Sequence, residues 1–225
     1  MQIQKHVNFH ISVAVLTVEN FSVTASPEIL QQMMASKLEN ILDKFSSYSR
    51  KQLKKIPPIN LYSDFFRNFG YSYPVLAQLE SVLKSPETFA RSLPLLDILF
   101  ITELSSMFLM ACHDLDTLIS PLTFYKLDDN SEMKTLTSIT QRELCLVSGD
   151  YCAEDQMGVI TSVLKGPDYR TKVTKQTKNA LYYIYYPSTS PTDIETKQLL
   201  DTLDELEQLL KQHSPDCKIT LKGLL

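Results

Sequence analysis

Residues 158–187 read GVITSVLKGPDYRTKVTKQTKNALYYIYYP. Val159, Ile160, Val163 and Leu164 form an apolar run that predicts a buried strand. Gly166, Pro167 and Asp168 predict the turn after it, because proline presets φ and aspartate can bond the backbone ahead of it. From 170 to 179 the chain is polar, basic and rich in hydroxyls. It then becomes ALYYIYY, an aromatic, β-prone run that stops at Pro187. Two strands bracketing a polar loop can present a binding site on a rigid frame. The loop region carries Lys165, Arg170, Lys172, Lys175 and Lys178 against one acid, Asp168. Such donors suit phosphate and carboxylate oxygens. The competing reading is a solvated turn, since basic runs are commonly wet surface.

Together with MACHDLDTL at 110–118, this stretch resembles the free-standing B3/B4 domain family. Those proteins are similar to the tRNA-binding editing module of the phenylalanyl-tRNA synthetase beta subunit, detached from its synthetase. The family pattern runs from an AGHDLD-like segment to a GD turn, then to a GVIsSv, GPD, RT, IT block ending in an aromatic strand. Here Ala111, Cys112, His113, Asp114, Leu115 and Asp116 come first, then Gly149 and Asp150, then the block above. The match runs from about 62 to 187.

The resemblance implies an α/β (mixed α+β) fold of sheet layers covered by helices, over residues 1–187. It also implies a cytoplasmic protein that binds tRNA at its aminoacylated 3′ end. One activity follows from it: hydrolysis of mischarged aminoacyl-tRNA in trans, with water as the attacking species. In that reading His113 orients the water or moves its proton, and Glu103 is the second catalytic candidate. Ser162, Thr171 and Thr174 would hydrogen-bond the substrate, Arg170 and Lys172 would meet the terminal phosphates, and Asp168 and Thr177 complete the binding set. The alternative is a non-catalytic module for RNA or for a small molecule such as an amino acid.

Three departures from the synthetase pattern matter. The module's asparagine falls at Phe100. Its histidine falls at Ala111, two residues before His113, which on a strand is the same face. The acid that reads a tyrosine hydroxyl falls at Tyr183, so selection of tyrosine is not implied. The chain has no G-x-S-x-G and no Cys–His pairing signal, so covalent catalysis is not expected.

The chain has 225 residues, 44% hydrophobic and 21% charged, with formal net charge −4. That composition fits a globular protein with a sizeable core. It excludes a wholly basic nucleic-acid binder, so any RNA contact must use local patches. Cys112, Cys145, Cys152 and Cys217 show no C-x-x-C pair and are expected as reduced thiols. His113 and its neighbouring carboxylates are too few for a metal site, and no cofactor is expected. The first ten residues lack a signal-type apolar core. Residues 93–112 are apolar but contain Asp97 and Glu103. Acids near a helix centre cost about 2.5–3.5 kcal/mol on insertion scales, against about 0.3–0.6 gained per Leu, Ile or Phe. The segment therefore reads as a buried element and not a membrane span, and its two carboxylates need partners.

Other elements follow from local pattern. Residues 9–18 predict a strand. Ser26, Pro27 and Glu28 predict a helix start, continued by a stripe of Leu30, Met34, Leu38, Ile41, Leu42 and Phe45. Lys44, Arg50, Lys51, Lys54 and Lys55 form a second basic cluster, read as a helix end or as a phosphate contact. Ile56 to Ile59, with two prolines, predicts a helix break, Gly70 a helix stop, and Tyr73-Pro74 the next helix. Residues 128–131 predict a loop, and Thr135 to Asp150 predicts short antiparallel strands.

Residues 188–225 read as a linker and an amphipathic helix. Thr192 and Glu195 form a capping box, and Leu199, Leu203, Leu206 and Leu210 form a stripe. Two heptads are too few for a free coiled coil, so the helix is expected to pack on its own domain. A homodimer through it is the runner-up.

Overall fold

The computed structural model describes residues 1–24, 27–86, 93–128 and 133–225. The helix start expected at Ser26, the loop expected at 129–131 and the side chain of Leu30 lie outside the described residues.

The chain is mixed α+β. A five-stranded sheet has the order β1-β4-β7-β8-β9 and a four-stranded sheet the order β11-β2-β10-β3. Their strands are β1 (Ile3–Lys5), β2 (Ser12–Glu19), β3 (Met110–Asp114), β4 (Leu122–Lys126), β7 (Tyr151–Asp155), β8 (Gly158–Ser162), β9 (Gly166–Pro167), β10 (Ala180–Tyr186) and β11 (Lys218–Leu224). β5 (Thr135–Thr137) and β6 (Glu143–Cys145) form a separate antiparallel pair. The helices are α1 (Pro27–Phe45), α2 (Arg50–Leu53), α3 (Pro57–Arg67), α4 (Pro74–Lys84), α5 (Pro94–Ser106) and α6 (Asp193–His213).

β10 is the hinge of the architecture, and all seven of its residues are buried. Side chains alternate across a strand, so each face meets a different layer. Tyr182 and Tyr186 point to the helices: the Tyr182 hydroxyl donates to Leu95 O on α5 (2.9 Å), and the Tyr186 hydroxyl donates to Glu195 on α6. Tyr183 and Tyr185 point to the larger sheet, where both meet the Phe124 ring edge-on, at 5.1 and 5.9 Å. Each such ring contributes about 1.5–3 kcal/mol on burial. The result is three layers, with helices on one face of the four-stranded sheet and the five-stranded sheet on the other.

α5 is apolar on most of its surface, as a buried helix should be. Its thirteen residues reach about 20 Å, short of the ~30 Å hydrocarbon core. Among the described residues no helix is long and apolar enough to cross a membrane. The stripe of α6 is buried against its own chain: Leu199, Leu203, Leu206 and Leu210 are each 0% exposed. A second copy would have to use other residues. All four cysteines are free.

Several elements differ from the sequence reading. Val163 and Leu164 belong to the β8–β9 turn and not to the strand; Gly166 and Pro167 pair back onto β8 opposite Ser162 and Thr161. The two prolines at 57 and 58 do break the preceding helix, but they also start α3, where a missing N–H costs nothing. β11, past the C-terminal helix, pairs antiparallel with β2. Its sequence, KITLKGL, has only a weak alternation and two lysines, which hid it from a pattern search.

Candidate functional site

His113 sits on β3 opposite Leu181 of β10, and Ala111 sits opposite Tyr183. His113 and Ala111 therefore share the face turned to the five-stranded sheet. The imidazole is 0% exposed and stacks on the Tyr183 ring at 5.4 Å and 14°. Nδ1 lies 2.6 Å from Thr171 Oγ1. Nε2 lies 2.6 Å from Thr161 Oγ1 and 2.7 Å from the Tyr183 hydroxyl.

The direction of these bonds follows from their far end. The Thr171 hydroxyl donates to Asp168 Oδ1. It must then accept from His113, which puts the imidazole proton on Nδ1 and leaves Nε2 an acceptor. Thr161 donates to that nitrogen and accepts from the Tyr183 hydroxyl at 2.8 Å. One chain of donors thus runs from Tyr183 through Thr161, His113 and Thr171 to Asp168, with each proton used once. Burial, reinforced by the Arg170 charge, lowers the His113 pKa to about 3, against a smaller opposing pull from Asp155. Burial also raises the Asp168 pKa, opposed by its bonds from Thr171.

Arg170 is anchored by its own chain. Nη1 donates to Thr117 O (2.8 Å), Nη2 donates to Asp155 Oδ1 (2.8 Å), and Nε lies 3.8 Å from Asp168 Oδ2. The Asp155 side chain is 0% exposed, so the guanidinium neutralises a buried carboxylate. The expected contact of Arg170 with terminal phosphates would take the charge partner from that carboxylate and leave it only the Ile119 and Met157 N–H groups, each at 2.9 Å. Ser162 is equally committed: its hydroxyl donates to Asp150 Oδ2 and accepts from Lys165 N (2.9 Å). Burial raises the Asp150 pKa to about 6, with the Ser162 bond opposing. Thr177 donates to Asp114 Oδ2 (2.5 Å) and accepts from Thr174 N (2.9 Å), latching the loop to the end of β3.

Glu103 is not brought to His113. Its carboxyl is 2% exposed and accepts from Met110 N at 2.8 Å, tying α5 to the first residue of β3. Burial raises its pKa to about 8, the Met110 N–H opposing. The two predicted catalytic residues are therefore each hydrogen-bonded to different partners within the chain. Neither ring nitrogen of His113 is free to hold a water, so the expected orientation of a nucleophilic water has no open position.

The lysines behave differently. Lys172 lies over the Tyr169 ring, 3.5 Å from its centroid. Lys175 and Lys178 are exposed, and among the described residues none of these three forms a salt bridge. A cleft of about 380 Å³ opens beside Lys175 and Lys178 at the start of α5, lined also by Leu93, Pro94, Leu95 and Thr174. No group of three or more potential metal ligands occurs among the described residues.

Sequence reasoning missed Thr161, Asp150, Asp155 and the part played by Tyr183. One signal was present for Tyr183: a tyrosine inside a fully buried strand needs a partner for its hydroxyl. Asp150 was read as a turn residue, and nothing local marked Asp155.

No protein-family model matches the chain, and no curated protein matches it in sequence. Among solved structures it is similar to an N-terminal fragment of the phenylalanyl-tRNA synthetase beta subunit from Pyrococcus horikoshii. The TM-score is 0.48 at 12% identity, over 97% of this chain and 50% of that one. The chain thus spans about half of that fragment. A likeness of that size assigns no activity, substrate or partner.

Proposed function

We propose that this protein is a tRNA-binding module whose inner, editing-like site is closed, and that it holds RNA on the outer face of the 165–178 loop without hydrolysing it. The observation that carries this reading is the contrast within one segment. His113, Thr171 and Asp168 are spent on each other in the interior, while Lys175 and Lys178 are exposed, Lys172 is half-buried, and none of the three has a carboxylate partner among the described residues. Cations left unpaired beside a cleft suit phosphate oxygens, and the resemblance of 158–187 to the B3/B4 family points to tRNA as their source. Lys172 over Tyr169 adds an aromatic surface beside the charge, a common pairing where single-stranded bases stack.

The test is titration of labelled total tRNA at 50 and 200 mM salt, together with a deacylation assay on a charged tRNA pool. Binding is expected, weakening steeply with salt, with ester loss no faster than the blank. Binding insensitive to salt, or none, overturns the RNA reading. Ester loss above the blank overturns its non-catalytic part and restores the trans-editing hydrolase.

A further inference from the structure

We propose a second phosphate-binding contact for the RNA backbone in the cleft between α2, α3 and α4. It is joined to the β8–β9 turn through Tyr71 and Lys165. The proposal rests on the RNA-binding reading above and deepens it.

Three local features build this cleft. Ser49 and Gln52 form a reciprocal capping box that fixes α2 and sets Arg50 and Lys54 on its exposed side. Pro57 and Pro58 launch α3 beside it. At its far end, Gly70 N–H reaches Arg67 O (3.0 Å) and Tyr71 N–H reaches Phe66 O (3.0 Å). This is the double bond of a Schellman turn, and it requires the positive φ of +76° that Gly70 adopts. The turn brings a half-buried Tyr71 to the edge of the cleft. The cleft so formed is about 230 Å³, and Arg50, Lys54, Arg67, Ser63 and Tyr71 line it together with Asp64.

Charge decides what it suits. Arg50 pairs with Glu80 at 3.1 Å and Arg67 with Asp64 at 2.9 Å. Both pairs are open to water: the arginine side chains are 66% and 74% exposed. Exposed pairs are worth about 0–1 kcal/mol, so a phosphate can recruit either guanidinium at little cost. Lys54 is exposed and forms no salt bridge among the described residues. Ser63 Oγ is buried at the cleft with no hydrogen-bond partner among the described residues, a polar atom that the fold leaves unanswered.

The cleft is joined to the loop across the molecule. Lys165, in the β8–β9 turn, donates to the Tyr71 hydroxyl and lies over its ring, 4.8 Å from the centroid. Beside it, a Cβ on Gly149 would come within 3.2 Å of the Phe69 ring, so the two parts abut. Lys165 of the second basic cluster thus meets the cleft of the first at one aromatic residue, Tyr71. Repeated cations along one surface track a phosphate backbone better than they hold a single small anion.

The experiment is fluorescence anisotropy with fluorescein-labelled total tRNA from 50 to 200 mM salt. It compares the wild type with Lys54→Gln/Arg67→Gln and with Lys175→Gln/Lys178→Gln. Each pair of lost cations is expected to lower the slope of log K against log salt by about 1.5. The charge-keeping Lys54→Arg/Arg67→Lys variant should retain the wild-type slope, and the melting temperature of each variant shows that it is folded. Wild-type affinity and slope in Lys54→Gln/Arg67→Gln, with weakening only in the loop variant, overturns the cleft and leaves the RNA reading intact. No tRNA binding by the wild type at 50 mM salt overturns both.

Discussion

The interior half and the surface half of the 158–178 segment use similar polar residues to opposite ends. In the interior, Thr161, Thr171 and Asp168 are bonded to His113 or to one another, and Arg170 is paired with Asp155. At the surface, Lys172, Lys175 and Lys178 have no acidic partner among the described residues. A family-like pattern read from sequence counts both halves as site. The structure separates them by burial: a polar group taken out of water must be paired inside the chain, whereas an exposed cation need not be.

The comparison breaks or sharpens most clearly at His113. His113→Ala removes a fully buried ring and leaves Thr161, Thr171 and Tyr183 short of a partner. Cavity and desolvation terms together predict a loss of about 3–5 kcal/mol, measured by urea unfolding. Anisotropy on the variant that remains folded should give wild-type tRNA affinity; a large drop there would mean that the interior takes part in binding.

Arg170→Gln comes next. It removes the charge partner of the Asp155 carboxylate, and breaking a buried pair costs about 3–5 kcal/mol. The guanidinium is 32% exposed, so screening brings the expected loss to about 2–3 kcal/mol. If Arg170 instead served phosphates, the variant would lose affinity and keep its stability.

Glu103 gives a pH test of equal interest. Its folded pKa of about 8 stands above the ordinary 4.5, so across that window the folded chain holds a proton that the unfolded chain has released. Its contribution is fully present below 4.5 and is lost as pH rises through 8. His113 works in the other direction, between about 3 and 6.5: its contribution is present above 6.5 and lost as pH falls. Between pH 6.5 and 8 the Glu103 effect stands clear of His113, and stability should fall by about 2 kcal/mol. Glu103→Gln should flatten that slope in urea unfolding at the two pH values. A slope that survives the substitution would assign it to another group.

The smallest effect on stability belongs to the surface half. Lys175→Gln/Lys178→Gln should change unfolding free energy by less than about 0.5 kcal/mol while weakening tRNA binding. A loss of stability comparable to that of Arg170→Gln would show that these lysines are structural too.

Much of the fold was legible locally. Prolines at 74 and 94 sit at helix starts, Thr192 and Glu195 close a capping box, and ALYYIYY is a strand buried on both faces. These signals act within a few residues, where backbone sterics and short hydrogen bonds decide. What stayed hidden is non-local. Whether His113 faces water depends on Thr161, 48 positions away, and on Tyr183, 70 away. Arg170 looked like a free cation because its partner, Asp155, lies on another strand. β11 depends on a pairing with β2 across the length of the chain, and its own residues barely advertise it.

That last pairing bears on how the molecule is made. β2 is an apolar strand, SVAVLTVE, and both of its sheet neighbours, β10 and β11, lie at least about 160 residues further along. At roughly 5–20 residues per second of synthesis, the strand waits on the order of ten seconds or more with both edges empty. Unpaired edges of this kind recruit other chains. The nascent protein is therefore expected to need a chaperone over β2 during translation, and refolding from dilute solution should give a higher yield than refolding from concentrated solution.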